Sequence, residues 1–75
     1  MRELVEYIAK NLVDDPDSVK VTEREDDNAF VLELTVAPDD MGKVIGKQGR
    51  IAKAIRTVVK AATSKASKKY IVEIV

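Results

Sequence analysis

At 75 residues, 45% of them apolar and 35% charged, the chain has room for one small domain and too many aliphatics to stay disordered. It contains no cysteine and no histidine, so disulfides, thiolate zinc sites and the usual general base are excluded and enzyme classes lack their commonest side chains. The formal net charge is zero, yet residues 1–40 hold four Lys/Arg against twelve Asp/Glu while residues 41–75 hold nine against one, that is, −8 and +8. A polyanion would therefore meet only the second half of the chain.

No apolar run approaches the roughly 18 residues of a membrane span, and the start Met1-Arg2-Glu3 lacks a signal-peptide pattern, so the cytoplasm is the expected place. From Arg2 to Val13, the residues Leu4, Val5, Ile8 and Leu12 share a stripe, which predicts an amphipathic helix. The stretch Asp14-Asp15-Pro16-Asp17-Ser18 ends it, because a proline disfavours helix in the residue before it. Its aspartates do not make a calcium loop: Val19 occupies a position that would need an oxygen ligand, and the loop glycine is missing.

Val19–Glu25 and Phe30–Val36 alternate apolar and polar residues and are predicted as strands, with Phe30 in the core. Asp26-Asp27-Asn28 between them suits a tight turn, which makes the pair an antiparallel hairpin. After Ala37-Pro38, either Asp39 or Asp40 is the expected N-cap of a short helix running to Ile45. Gly42 inside that helix is unfavourable by roughly 1 kcal/mol relative to alanine, which close packing or ligand approach would explain.

The run Val44-Ile45-Gly46-Lys47-Gln48-Gly49-Arg50-Ile51 comes next, read as a turn with a glycine at each end between two segments of helical period. Gly46 is the expected left-handed residue at the first helix's C-terminus, and Gly49 lets a ligand approach the N–H groups that open the second. With Lys47 and Arg50 alongside, this is a seat for a phosphate. The second helix, Arg50–Ala66, places Ile51, Ala54, Ile55, Val58 and Ala62 on a core face and Arg50, Lys53, Thr57, Lys60 and Ser64 on a polar one. Tyr70–Val75 is the last strand. Helix, strand, strand, helix, helix, strand is the order that results, an α+β arrangement with one three-stranded sheet.

The Val-Ile-Gly-Lys-Gln-Gly run at 44–49 resembles the signature of KH domains, whose Gly-x-x-Gly loop clamps about four nucleotides, and the element order αββααβ is that of the type II KH fold. With its length, the chain is similar, from Leu4 to the C-terminus, to the small bacterial single-KH proteins of the KhpA (YlqC-like) family. A departure is Ala52, where many KH domains carry a large aliphatic residue. The resemblance implies a single KH domain over residues 1–75 that binds single-stranded RNA, without catalysis, through Lys43, Val44, Ile45, Gly46, Lys47, Gln48, Gly49, Arg50, Ile51 and Lys53. The base-accepting groove is expected among Val44, Ile45, Ile51 or Ile55, and Val36. Tyr7 and Tyr70 are read as edge packing, since the aromatics are too few for a stacking platform. The family resemblance also implies homodimers or pairing with a larger KhpB-like KH protein, and RNA-chaperone or post-transcriptional roles linked to cell shape and cell wall biogenesis.

Two other readings of the same charges are a DNA-binding helix-turn-helix and a pure protein-interaction module. Against the first, the exposed positions opening the second helix are chiefly lysine, whereas base readout favours Arg, Asn and Gln. Among enzyme readings, Ser18, Ser64 and Ser67 have no histidine to activate them, and the glycine turn lacks the spacing of a Walker loop. A surplus valine in the second helix suggests self-association: Val59 lies at the margin of the predicted core stripe, beside Ala52, Thr63 and Ala66, where two helices could approach closely.

Overall fold

The computed structural model describes residues 1–75, apart from the side chains of Lys47 and Gln48. Helix α1 spans Arg2–Leu12, a single 3-10 turn follows at Pro16–Ser18, and strands β1 (Lys20–Glu25) and β2 (Ala29–Thr35) form the hairpin. Helix α2 covers Pro38–Ala62 and strand β3 is Lys69–Ile74. The sheet order is β1-β2-β3, with β1 antiparallel to β2 (Val21 opposite Leu34) and β2 parallel to β3 (Leu32 opposite Val72). The expected mixed three-stranded sheet is present, and β3 is one of its edges.

Residues paired across the sheet share a face, so Val21, Leu32, Leu34 and Val72 lie together. They join Val5 and Ala9 of α1 and Val44, Ala52, Ile55 and Val59 of α2 in one buried cluster. Both helices thus cover the same side of the sheet. The opposite side carries Arg24, which reaches Glu33 at 3.8 Å and Glu73 at 3.6 Å. Phe30, expected in the core, is only half-buried and lies on Tyr70, with ring centroids 4.9 Å apart.

The two predicted helices after β2 are joined. The helical span runs unbroken from Pro38 to Ala62 instead of pausing in a four-residue turn, and the left-handed residue is Gly49, at φ 70°, not Gly46. A right-handed helix cannot pass through such a residue without redirecting its axis, so Gly49 alone divides α2 into two arms. The second arm ends at Ala62, four residues earlier than predicted, where Thr63 turns both its N–H (3.0 Å) and its hydroxyl (2.7 Å) onto the carbonyl of Val59.

That arm is also rotated from its expected setting. Val59 is 1% exposed and Val58 41% exposed, while Ala54 and Ala62 face solvent. Ile55 belongs to both the predicted and the observed stripe; in the observed one it is joined by Ala52 and Val59 in the buried cluster. Val59 and Ala52 are therefore core residues, and the expected interface built on them is not a surface.

At the start of α2 neither Asp39 nor Asp40 is the N-cap. Ala37 holds that position, with Pro38 as the first helical residue, where a missing N–H costs nothing. Asp40, in the first turn and 2% exposed, instead accepts the backbone N–H of Asp14 on Oδ1 and that of Asp15 on Oδ2, each at 3.0 Å. Both carboxylate oxygens are satisfied by charge-assisted bonds, and the loop after α1 is fastened to α2.

Candidate nucleic-acid interface

Two clefts flank the Gly49 break. The first, about 420 Å³, is walled by Ile45, Gly49, Ala52, Lys53 and Arg56 of α2 and by Ile74 of β3. Within the second arm, Gly49, Ala52 and Arg56 are spaced by three and four and share one face, and Ile45 reaches the same cleft from the first arm. Ile45 is 55% exposed, a large aliphatic left uncovered at the cleft mouth. Lys53 and Arg56 make the rim cationic, and neither has a carboxylate partner among the described residues. Arg56 donates from Nε to the carbonyl of Val72 at 3.3 Å, which holds its guanidinium against the free edge of β3.

The second cleft, about 610 Å³, lies on the other side of the break, among Gly42, Lys43, Gly46, Arg50, Ile51 and Asp14. Lys43 is within 3.1 Å of the Asp14 carboxylate, so part of its charge is spent in an exposed pair. A Cβ built on Gly42 or Gly46 would meet nothing within 4 Å. No packing inside the chain therefore requires glycine at either place, and the close-packing explanation for Gly42 does not apply. What these two glycines leave is bare helix backbone open to a visitor.

A family model described as KhpA/KhpB, KH domain, matches residues 2–74. The chain belongs to that KH family. The RNA-binding protein KhpA of Clostridium perfringens is 65% identical over 75 residues, covering 100% of both chains. The protein of the same name from Halalkalibacterium halodurans is 55% identical over 75 residues, covering 100% of this chain and 99% of its own. Among solved structures, Era in complex with MgGDPNP and nucleotides 1506–1542 of 16S ribosomal RNA superposes with a TM-score of 0.62 at 24% identity, over 99% of this chain and 30% of that one. That last likeness concerns the fold alone.

Measured against the site expected of a KH domain, the residues separate into three groups. Ile45, Gly49 and Lys53 line the first cleft, and Lys43, Gly46, Arg50 and Ile51 the second. Val44, Ile55 and Val36 are buried in the core, so they line neither cleft. The side chains of Lys47 and Gln48 lie outside the described residues. Arg56 and Ile74 also line the first cleft and were not among the expected site residues. Arg56 was within reach, being seven residues beyond Gly49 on the same face; Ile74 depended on β3 lying beside α2, which no local pattern encodes.

Proposed function

We propose that the protein binds single-stranded RNA along the first cleft, with the backbone at Gly46–Gly49 and the cations Lys53 and Arg56 on phosphates and Ile45, Ala52 and Ile74 against bases. The observation that carries this reading is an uncovered aliphatic cleft with a cationic rim beside a left-handed glycine, in a family whose relatives are named for RNA binding. Lys47 adds a positive charge to the same Gly-x-x-Gly segment, and Arg50 extends the charge to the second cleft. Phosphate contacts hold the strand and the apolar floor accepts unstacked bases. An RNA-chaperone or post-transcriptional role in the cytoplasm is the setting that goes with this reading, without any catalysed reaction.

The cleft is bordered by Ile74 of the edge strand β3 and has an apolar floor, which suits the exposed bases of an unpaired strand. Competition between a labelled single-stranded RNA and its own duplex is the test: the single strand should win by at least tenfold, and tighter binding to duplex DNA would favour the helix-turn-helix reading instead.

Self-association belongs to a different face. The second arm of α2 exposes Ala54, Val58, Ala61 and Ala62, a shallow apolar patch that a second copy of the chain would cover. Sedimentation at tens of micromolar should show a dimer that Val58→Lys dissociates. A monomeric parent removes the idea.

A further inference from the structure

A third cleft, about 620 Å³, opens farther along α2, where its last turns face β3; its wall includes Arg56, Lys60, Lys69, Tyr70 and Val72. The volume is that of a small-ligand site. Arg56 belongs to this wall and to that of the first cleft, so the two are neighbours on one path. Lys53, Arg56 and Lys60 follow at intervals of three and four along the helix, a cationic row about 10 Å long at 1.5 Å per residue.

Tyr70 is what distinguishes this cleft from the first. One side of its ring lies on Phe30, with an interplanar angle of 25°. Tyr70 lines the cleft and Phe30 does not, and Tyr70, partly buried, also packs against the buried cluster. Phe30 is braced in turn: the Lys68 ammonium sits 5.3 Å from its ring centroid and is fixed by the Glu25 carboxylate at 2.6 Å and the Asp26 carbonyl at 3.0 Å. The tyrosine is thus a supported aromatic surface beside a row of cations. Base-on-aromatic stacking with a neighbouring phosphate contact is the chemistry this suits.

We propose that a further nucleotide of the bound strand, beyond those held in the first cleft, stacks on Tyr70 and places its phosphate on Lys60 and Lys69. The proposal rests on the RNA-binding reading above. The C-terminal end of α2 also borders this cleft and carries partial negative charge, which by itself would repel phosphate. Lys60 and Lys69, neither of which has a carboxylate partner among the described residues, reverse that sign. An aliphatic floor in one cleft and an aromatic one in the next would give the two subsites different base preferences.

The experiment measures binding of randomised single-stranded RNAs of four and eight nucleotides to the full chain and to Lys60→Glu, Tyr70→Leu and Tyr70→Phe. A four-nucleotide footprint has five registers on the longer RNA, which alone gives roughly fivefold tighter apparent binding. The parent should show roughly fiftyfold, the extra factor of about ten being of the order expected for one stacked base. Lys60→Glu, at an exposed position, and Tyr70→Leu should fall back to roughly fivefold while keeping the affinity for four nucleotides. Tyr70→Phe should keep the full gain. An extra gain that survives both Lys60→Glu and Tyr70→Leu overturns the second subsite and leaves the first cleft standing. A parent that binds neither length overturns the RNA-binding reading and this site with it. Since Tyr70→Leu disturbs the contact with Phe30, photocrosslinking of the unmutated protein to 4-thiouridine RNA gives an independent readout: a crosslink is expected on Tyr70, and crosslinks confined to α2 contradict the proposal.

Discussion

Arg56 and Val72 are joined across the gap between α2 and the edge of the sheet by a single bond, Nε to carbonyl oxygen at 3.3 Å. That bond uses one donor of five and leaves the terminal nitrogens of the guanidinium to face whatever enters the clefts on either side. An edge strand with unpaired backbone groups is a hazard in a small protein, and here the side chain that caps one of those groups also lines the candidate site. Arg56→Ala should weaken binding of single-stranded RNA roughly tenfold and lower stability by about 1 kcal/mol. Arg56→Lys should recover little of the binding, because an ammonium cannot hold the Val72 carbonyl and present a planar fork together. Polarisation titrations of the three proteins check this, and full recovery with lysine would reduce Arg56 to a point charge.

Asp40 should prove the most sensitive polar position in the core. Asp40→Ala leaves the N–H groups of Asp14 and Asp15 without their acceptor at a part-buried site, and a loss of about 2 kcal/mol is expected for two charge-assisted bonds. Asp40→Asn can satisfy one of the two and should lie between. Chemical denaturation gives both values. Parity between Ala and the parent would mean that the loop after α1 is held by its other contacts.

The three glycines of α2 should respond differently to alanine. Gly42 and Gly46 have helical backbone and open space where a Cβ would sit, so each substitution should stabilise the fold by up to about 1 kcal/mol. Gly49→Ala forces a side chain into φ 70° and should cost about 1 kcal/mol or more. Under the proposed function, Gly46→Ala should gain stability and lose RNA affinity, since a methyl would occupy the space a phosphate needs. Thermal melts and binding on the same samples separate the two effects.

Acid should loosen the hairpin at Asp26. Its carboxylate accepts the N–H groups of Asn28 at 2.9 Å and Ala29 at 2.8 Å, and these bonds, Asn28 first, hold its pKa below the ordinary aspartate value, with smaller help from Arg24 and Lys68 against a slight burial effect. The folded pKa is depressed, so the contribution is present above about pH 4 and is lost as pH falls through the lowered value. Asp26→Asn keeps an acceptor without the titration, and its stability should decline less than the parent's between about pH 4 and pH 2. Parallel slopes for the two proteins would contradict the assignment.

The elements of this fold were legible because their signals are local: alternation in β1 and β2, helical period in α1 and α2, and the aspartates that turn the hairpin. The rotation of the second arm of α2 was not. Val58 and Val59 are adjacent and equally apolar, and the alanines at 52, 54 and 62 fit either setting, so the choice is made by contact with the sheet and by the redirection at Gly49. Asp40 misled for a related reason, since an aspartate near a helix start has the composition of a cap whichever backbone it binds. The same limit applies to the site. The Gly-x-x-Gly segment is contiguous and visible, while the cleft depends on β3 lying beside α2, which brings Ile74 into the same wall as Ile45.

Whether a single strand is held at the Gly46–Gly49 segment is tested by RNA binding of a protein carrying Lys47→Asp and Gln48→Asp together. The two substitutions exchange one positive charge for two negative ones between the glycines, where they repel phosphate and leave the buried cluster untouched. The far-ultraviolet spectrum and melting temperature should be unchanged, with single-stranded RNA affinity reduced at least about a hundredfold. In the unsubstituted protein, log affinity should fall against log salt with a slope near −2, as roughly three neutralised phosphates require. Binding by the doubly substituted protein that matches the parent's, at low salt and with the fold intact, would contradict the claim.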